Sequence, residues 1–302
     1  VWLYKISTES GQFDIVKDSI ASISQDQRIQ LLLIGFVFNA FLEGAAGFGV
    51  PIAICAVLLT QLGFKPLEAA MYCLVGNAAA GAYGAVGIPV AIIDTLNLSG
   101  DVSATEVALI GNLTLGFISF FVPFLLIFMI DGFRGIKEIL PSILVVSVTY
   151  TFLQVTITSF AGPELADIIP GLAAMVALAL FSSKFQPKNI FRLQQNEEPK
   201  RVAKHSFKNI VYAWSPFIIL TVIVLIWSSS FFKGLFEKKG LLHSLVINFN
   251  VPGTMNDVTH TPNVLTFNFI AQTGTAILIT AILTIIIANN MNFKIAGKLL
   301  GL

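Results

Sequence analysis

The chain has 302 residues, of which 55% are hydrophobic and only 12% charged, with a formal net charge of +1. That charged share is about half of what an ordinary soluble domain carries. A soluble core can bury one long apolar helix but not a series of them with almost no polar face, so a soluble globular domain is excluded. The composition reads as an all-α, polytopic helical membrane protein.

In chain order, VWLY followed by Lys5 looks like the tail of an earlier helix, and no signal peptide is legible. Residues 12–24 (QFDIVKDSIASIS) place Phe13, Val16, Ile20 and Ile23 on one helical face, which predicts an interfacial helix. The next run, 31–64, would be about 50 Å long as a single helix, far beyond a ~30 Å hydrocarbon core. Its centre holds FLEGAAGFGVPIAI (41–54), where Gly44, Gly47, Gly49 and Pro51 break helical structure. The spacing predicts a re-entrant helical hairpin over 31–63, with arms 31–42 and 51–63 and a tip from Glu43 to Val50.

Residues 67–97 repeat the device as a broken helix, with Gly76, Gly81, Gly84, Gly87 and Pro89 in its middle. The two breaks echo one another, FGVPIAI at 48–54 and VGIPVAI at 86–92. In each, proline stands where a new helix begins, the position that tolerates a missing N–H. Non-helical backbone at membrane depth persists only when buried in protein or lining a watery cavity. A pair of such interruptions is the best sequence pointer to a transporter's substrate site.

Helices are expected at 107–130, 139–160 and 166–181, completing a first membrane part over 1–181. A basic loop follows at 182–208, then a second membrane part at 209–302 with apolar runs 210–232 and 267–288. No second hairpin is legible after residue 266, and MNFKIAGKLLGL stops without an evident ending, so the sequence is expected to be a fragment.

The charges orient this arrangement. The 182–208 loop carries Lys184, Lys188, Arg192, Lys200, Arg201, Lys204 and Lys208 against Glu197 and Glu198, which makes it cytoplasmic by the positive-inside rule. No aromatic or groove-reading pattern accompanies it, so nucleic acid is not an expected partner. All 18 Lys and Arg then fall inside except Lys233, Lys238 and Lys239. Of the 17 acidic residues, every one but Glu43 reads as lying in a loop or at a helix end.

Intramembrane carboxylates are functional candidates by default. Burial disfavours the ionised form of a carboxyl, and an ionised Glu43 would repel an anionic substrate nearby. Protonation then favours anion binding and bound anion favours protonation, which is how co-transport is coupled. Glu43 is therefore the expected proton-coupling residue. Helix N-termini attract anions, and two restarting near the membrane centre suit a small carboxylate. Asn77 either adds a side-chain hydrogen bond to the substrate or caps its own half-helix.

Other polar residues carry less. Thr149, Thr151, Gln154, Thr156 and Thr158 suggest interhelical hydrogen bonds, and Gln272, Thr273 and Thr275 fit a pathway lining but read more readily as packing. Cys55 and Cys73 read as core residues. His205, His243 and His260 share no ligand spacing, so no metal and no cofactor is expected.

FLEGAAGFGVPIAI, GFKPLEAA, GNAAAGAYGAVGIPV, SGQFDIVKDSI with DQRIQ, VPFLLIFMIDGFRGIKE and GPEL-x-D at 162–167 together resemble the bacterial L-lactate permease family. The resemblance runs through residues 1–183 and is faint beyond. It implies proton-coupled symport of L-lactate, D-lactate and glycolate across the bacterial plasma membrane by a fold of inverted repeats. It places substrate binding on Gly44, Gly47, Phe48, Gly49, Asn77, Gly84 and Gly87. The chain departs from the family at Ala78, Ala80 and Gly81, where Thr, Pro and Val are usual. Other classes considered are a sodium-coupled carboxylate carrier, a channel, a membrane enzyme and a truncated remnant that does not transport. A homo-oligomer is among the assemblies considered. EGAAGFG offers no hydroxyl ligands for sodium, and no catalytic constellation lies at depth.

Overall fold

The computed structural model describes residues 2–46, 50–95, 102–185, 187–193, 203, 205–236, 240–255 and 262–301. Helices α1 (Trp2–Glu9) and α2 (Gln12–Ala21) meet at Gly11, whose φ of 76° is left-handed and suits glycine. The apolar face of α2 is turned into the protein, with Phe13, Val16 and Ile20 buried and the Phe13 ring against Phe38 and Phe217. The face read as interfacial thus has protein partners.

A continuous helical arm follows: α3 (Gln27–Gln30), a π-helix (Leu31–Phe38) and α4 (Asn39–Ala46). Every residue of LLLIGFVF is buried. The return arm is α5 (Val50–Gln61). Gln27 Nε2 donates to Leu62 O at 2.8 Å, so the arms begin and finish at the same end. The geometry corrects the expected arms in one respect. The first runs on through Glu43 to Ala46, because Leu, Glu and Ala are strong helix formers and one glycine costs only ~1 kcal/mol. Glu43 therefore lies in the last turns of a helix, and the break falls after Ala46.

Helix α6 (Pro66–Asn77) opens on a proline and gives way to turns over 78–87, α7 (Ile88–Ala91) and a 3-10 turn to Thr95. The long element α8 (Ala104–Ala161) has 58 residues, about 87 Å at 1.5 Å per residue. It does not run straight. The backbone leaves helical geometry at Gly132 and Ile139, and Ser119 Oγ donates to Gln154 Oε1 at 2.6 Å across the fold-back.

A 3-10 turn (Pro163–Leu165) leads into α9 (Ile168–Lys184), followed by α10 (Phe207–Ser228) and α11 (Ser230–Gly234). Strands β1 (Ile247–Met255) and β2 (Pro262–Phe267) form an antiparallel hairpin in register Ile247↔Phe267. It lies where the sequence reads as an outer loop. The chain closes with α12 (Thr273–Ile287) and α13 (Phe293–Leu300). Trp2 Nε1 donates to Ala296 O at 2.9 Å, joining the two terminal regions.

Among the described residues, Gln27–Ala45, Ala104–Ala161, Pro163–Lys184 and Phe207–Trp227 are long and apolar enough to cross a membrane. The base of the hairpin is fastened by charge. Arg28 is fully buried and bridges Asp26 (2.8 Å), Asp131 (2.8 Å) and Glu138 (2.7 Å). The sequence placed Arg28 near the cytoplasmic surface; the fold makes it the centre of a cluster tying the first arm to the bend of α8.

Candidate functional site

The end of α4 and the turns after α6 meet backbone to backbone. A helix leaves its last carbonyls without intrahelical donors. Here Ala85 N donates to Glu43 O (2.9 Å) and Val86 N to Gly44 O (2.8 Å), so the second break caps the first arm. Ala85 and Val86 hold φ of 52° and 60°, a strained conformation for a residue with a side chain, above all a β-branched one.

Three glycines allow the close approach. A Cβ on Gly76 would lie 1.9 Å from Gly35 O, so α6 and the π-helix touch through backbone. Gly87, the N-cap of α7, combines φ of 66° with Pro163 O at 2.4 Å from its ideal Cβ. Gly44 faces Asp167 and Ile168, whose Cβ and Cγ1 would stand 3.0 Å and 2.9 Å from a Cβ there. Three elements therefore converge: the end of α4, the turns 78–87 and the 163–168 turn.

Glu43 is fully buried at this convergence, and neither of its carboxylate oxygens has a hydrogen-bond partner among the described residues. Asn77 faces it without forming a bond of good geometry, and Asn77 Oδ1 is likewise unpartnered. Gly44, Gly84 and Gly87 lie in the same convergence. Gly47, Phe48 and Gly49 lie outside the described residues. The N–H of Gly87 is already given to Tyr83 O at 2.9 Å. With Ala85 and Val86 also committed, the second break offers few free donors. Moreover, α7 has four residues, too short to sum much of a dipole, so the expected pair of matched anion-binding helix ends is not what forms.

The sequence reading missed Asp167. It stands just before α9, the place of an ordinary capping residue, yet it makes no cap. The residue is 1% exposed. Tyr150 Oη donates to Asp167 Oδ1 at 3.0 Å, and Gln154 Nε2 approaches the same oxygen at 3.3 Å. Gln154 Nε2 also donates to Ala79 O (3.2 Å) in the second break. Asp167 Oδ2 has no partner among the described residues. Asp167 lies at a helix end, as expected of every acidic residue but Glu43, yet it too is buried, so two carboxyls are buried here. Among the described residues, no Lys or Arg bonds to either. Gln154 was the legible clue, a long polar side chain in an apolar helix.

Beside this crossing lies a cavity of about 70 Å³, lined by Leu42, Ala45, Ala85 and Ile88 together with Leu3, Tyr4, Phe217 and Ile277. It has room for a handful of water-sized groups, and its walls are mostly apolar.

Comparison with known proteins follows the same outline. A family model described as L-lactate permease matches residues 1–301, so the likeness extends through the second half as well. An L-lactate permease of Halalkalibacterium halodurans is 54% identical over 99% of this chain and 56% of its own length. A glycolate permease, GlcA, of Escherichia coli K12 is 42% identical over 95% of this chain and 55% of its own. The L-lactate permease of the same organism is 41% identical over 95% and 54%. The chain spans about half the length of the curated relatives it matches. No solved structure matches.

Proposed function

Because the chain belongs to the L-lactate permease family, we propose that it carries L-lactate, with D-lactate and glycolate as related substrates, across the bacterial plasma membrane together with a proton. The relative named as a glycolate permease supports a 2-hydroxymonocarboxylate class rather than lactate alone. The observation that carries the reading is Glu43, buried with both oxygens unpartnered where two interrupted helices cross.

In this reading 27–61 is a re-entrant hairpin whose base, with Arg28, faces the cytoplasm, as does the 182–208 loop. Glu43 takes a proton and ceases to repel the incoming anion. The substrate carboxylate is bound at Gly47, Phe48 and Gly49, the residues that precede α5 in the sequence. Asn77 reaches its hydroxyl or carboxylate. Gly44, Gly84 and Gly87 admit it by keeping side chains out of the crossing. Proton and anion favour each other's binding by the same factor.

The test is lactate-driven pH change in proteoliposomes holding the whole protein. An inward lactate gradient should acidify the lumen, and Glu43→Gln should abolish that acidification while lactate still binds. Acidification unchanged by Glu43→Gln removes Glu43 from the coupling path. Absence of both lactate uptake and acidification in the unmodified protein rejects the transport reading.

A further inference from the structure

We infer that Asp167 is a second proton-bearing carboxyl of the same site, paired with Glu43 so that the empty site holds one proton between the two. The inference rests on the transport reading above and adds a residue to it.

The backbone turn at Asp167 touches Gly44, the residue next to Glu43. From α8, Tyr150 and Gln154 supply donors to Oδ1. Ser119 donates to the Gln154 amide oxygen, which leaves the amide NH2 turned to Ala79 O and Asp167. From α4 comes Glu43, and from the second break the buried Tyr83, both within electrostatic reach. Glu164, three residues upstream, is held by Lys233 at 2.7 Å. Among the described residues no cation is bonded to either carboxyl. Three carboxylate oxygens of the pair, Asp167 Oδ2 and both of Glu43, are buried without partners.

Two desolvated carboxyls within electrostatic reach of one another cannot both ionise cheaply, so one proton stays with the pair. The donors divide the roles. Asp167 has two and is equipped to carry the charge, whereas Glu43 has only Asn77 facing it, without a well-formed bond, and is equipped to carry the proton. An arriving substrate anion then draws a second proton from the medium onto the pair, and one of the two protons travels with it. One anion and one proton move per cycle, and the pair is left with a single proton. The protons couple, so the titration belongs to the pair rather than to either residue.

Two variants pull this arrangement in opposite directions. Asp167→Asn removes a like charge beside Glu43, so the upper infrared midpoint, at which the pair gains its first proton, falls by about one unit or more. Tyr150→Phe removes a donor from ionised Asp167, so the second proton is held more tightly and the pH for half-maximal lactate binding rises. A merely structural role would weaken binding in both without moving these two midpoints in opposite senses. The measurements are labelled L-lactate binding against pH, and infrared titration of the carboxyl C=O band in the purified whole protein without lactate. The infrared titration should show two steps, reduced to one in Asp167→Asn and in Glu43→Gln. A single step in the unmodified protein, or midpoints that stay put in both variants, overturns the inference. Should Asp167→Asn not fold, Tyr150→Phe alone decides, a rise supporting the pair and no shift rejecting it. Two infrared steps in a protein that moves no lactate would retain the pair and reject only the transport reading.

Discussion

Gly76→Ala isolates the contact on which the crossing depends. In an exposed helix this change stabilises by up to ~1 kcal/mol, because alanine restricts the unfolded chain and suits a helix. In α6 the new Cβ would sit 1.9 Å from Gly35 O, 3.0 Å from its carbonyl carbon and 3.5 Å from Phe36 Cα. All three are backbone atoms, so no side chain can rotate away. The helices must part by about an ångström, in a region where Asn39 Nδ2 also bonds Cys73 O at 2.8 Å across the same interface. Overpacking of this kind costs about 1–3 kcal/mol, and a contact made wholly of backbone belongs at the upper end. After the propensity gain, the net loss is about 1–2 kcal/mol.

The assay is thermal unfolding in detergent, followed by tryptophan fluorescence, beside Gly297→Ala. Gly297 lies mid-helix in α13 with nothing within 4 Å of its ideal Cβ, so that variant should be neutral or more stable by ~0.5–1 kcal/mol. At roughly 2–4 °C per kcal/mol, Gly76→Ala should melt several degrees lower. Equal or higher stability for Gly76→Ala would refute the close contact and with it the placement of Asn77 beside Glu43.

The Arg28 cluster yields two further expectations. Arg28→Met should cost about 3–5 kcal/mol by leaving Asp26 and its partners without a cation, and Arg28→Lys should recover little, since one ammonium cannot reproduce bonds to Asp26, Asp131 and Glu138 together; melting temperatures of both variants check this. The Glu138 carboxyl lies in the bend outside the two halves of α8 and is held below the usual carboxylate range, first by Arg28 and then by Arg134. Its stabilisation is therefore complete above the ordinary value of about 4.3 and fades as pH falls towards the lowered native one. Melting followed down through this range should show that loss, and Glu138→Gln should flatten it.

Much of the helical plan was legible because its signals are local. Pro51 and Pro89 mark restarts, and each stands second in its helix, α5 and α7. Glu43 stood out because nothing around it is polar. What escaped depends on partners distant in sequence. Asp167 before an apolar run reads as a helix cap, and only the arrival of Tyr150 and Gln154 from α8 turns it inward. Arg28 reads as a surface cation until Asp131 and Glu138, more than 100 residues on, close around it. The π-helix leaves no mark, since LLLIGFVF has the composition of any buried helix. The β-hairpin follows an alternation too weak to distinguish from a loop.

The echo between FGVPIAI and VGIPVAI has a physical consequence that neither segment shows alone. Strain at Ala85 and Val86, of order 1–3 kcal/mol each, persists only where the surroundings impose it. What imposes it is the pair of bonds to Glu43 O and Gly44 O, carbonyls left open because α4 stops. The second interruption is thus held in shape by the end of the first. Gly87, next in line, rests against the Pro163 carbonyl, and Asp167 follows four residues later. In a carrier of the proposed kind, the arm bearing Glu43 cannot shift without breaking both caps or carrying 85–87 with it. Carrying them presses on the turn that seats Asp167. The two carboxyls are therefore joined by a short run of backbone contacts, a mechanical link between one proton site and the other.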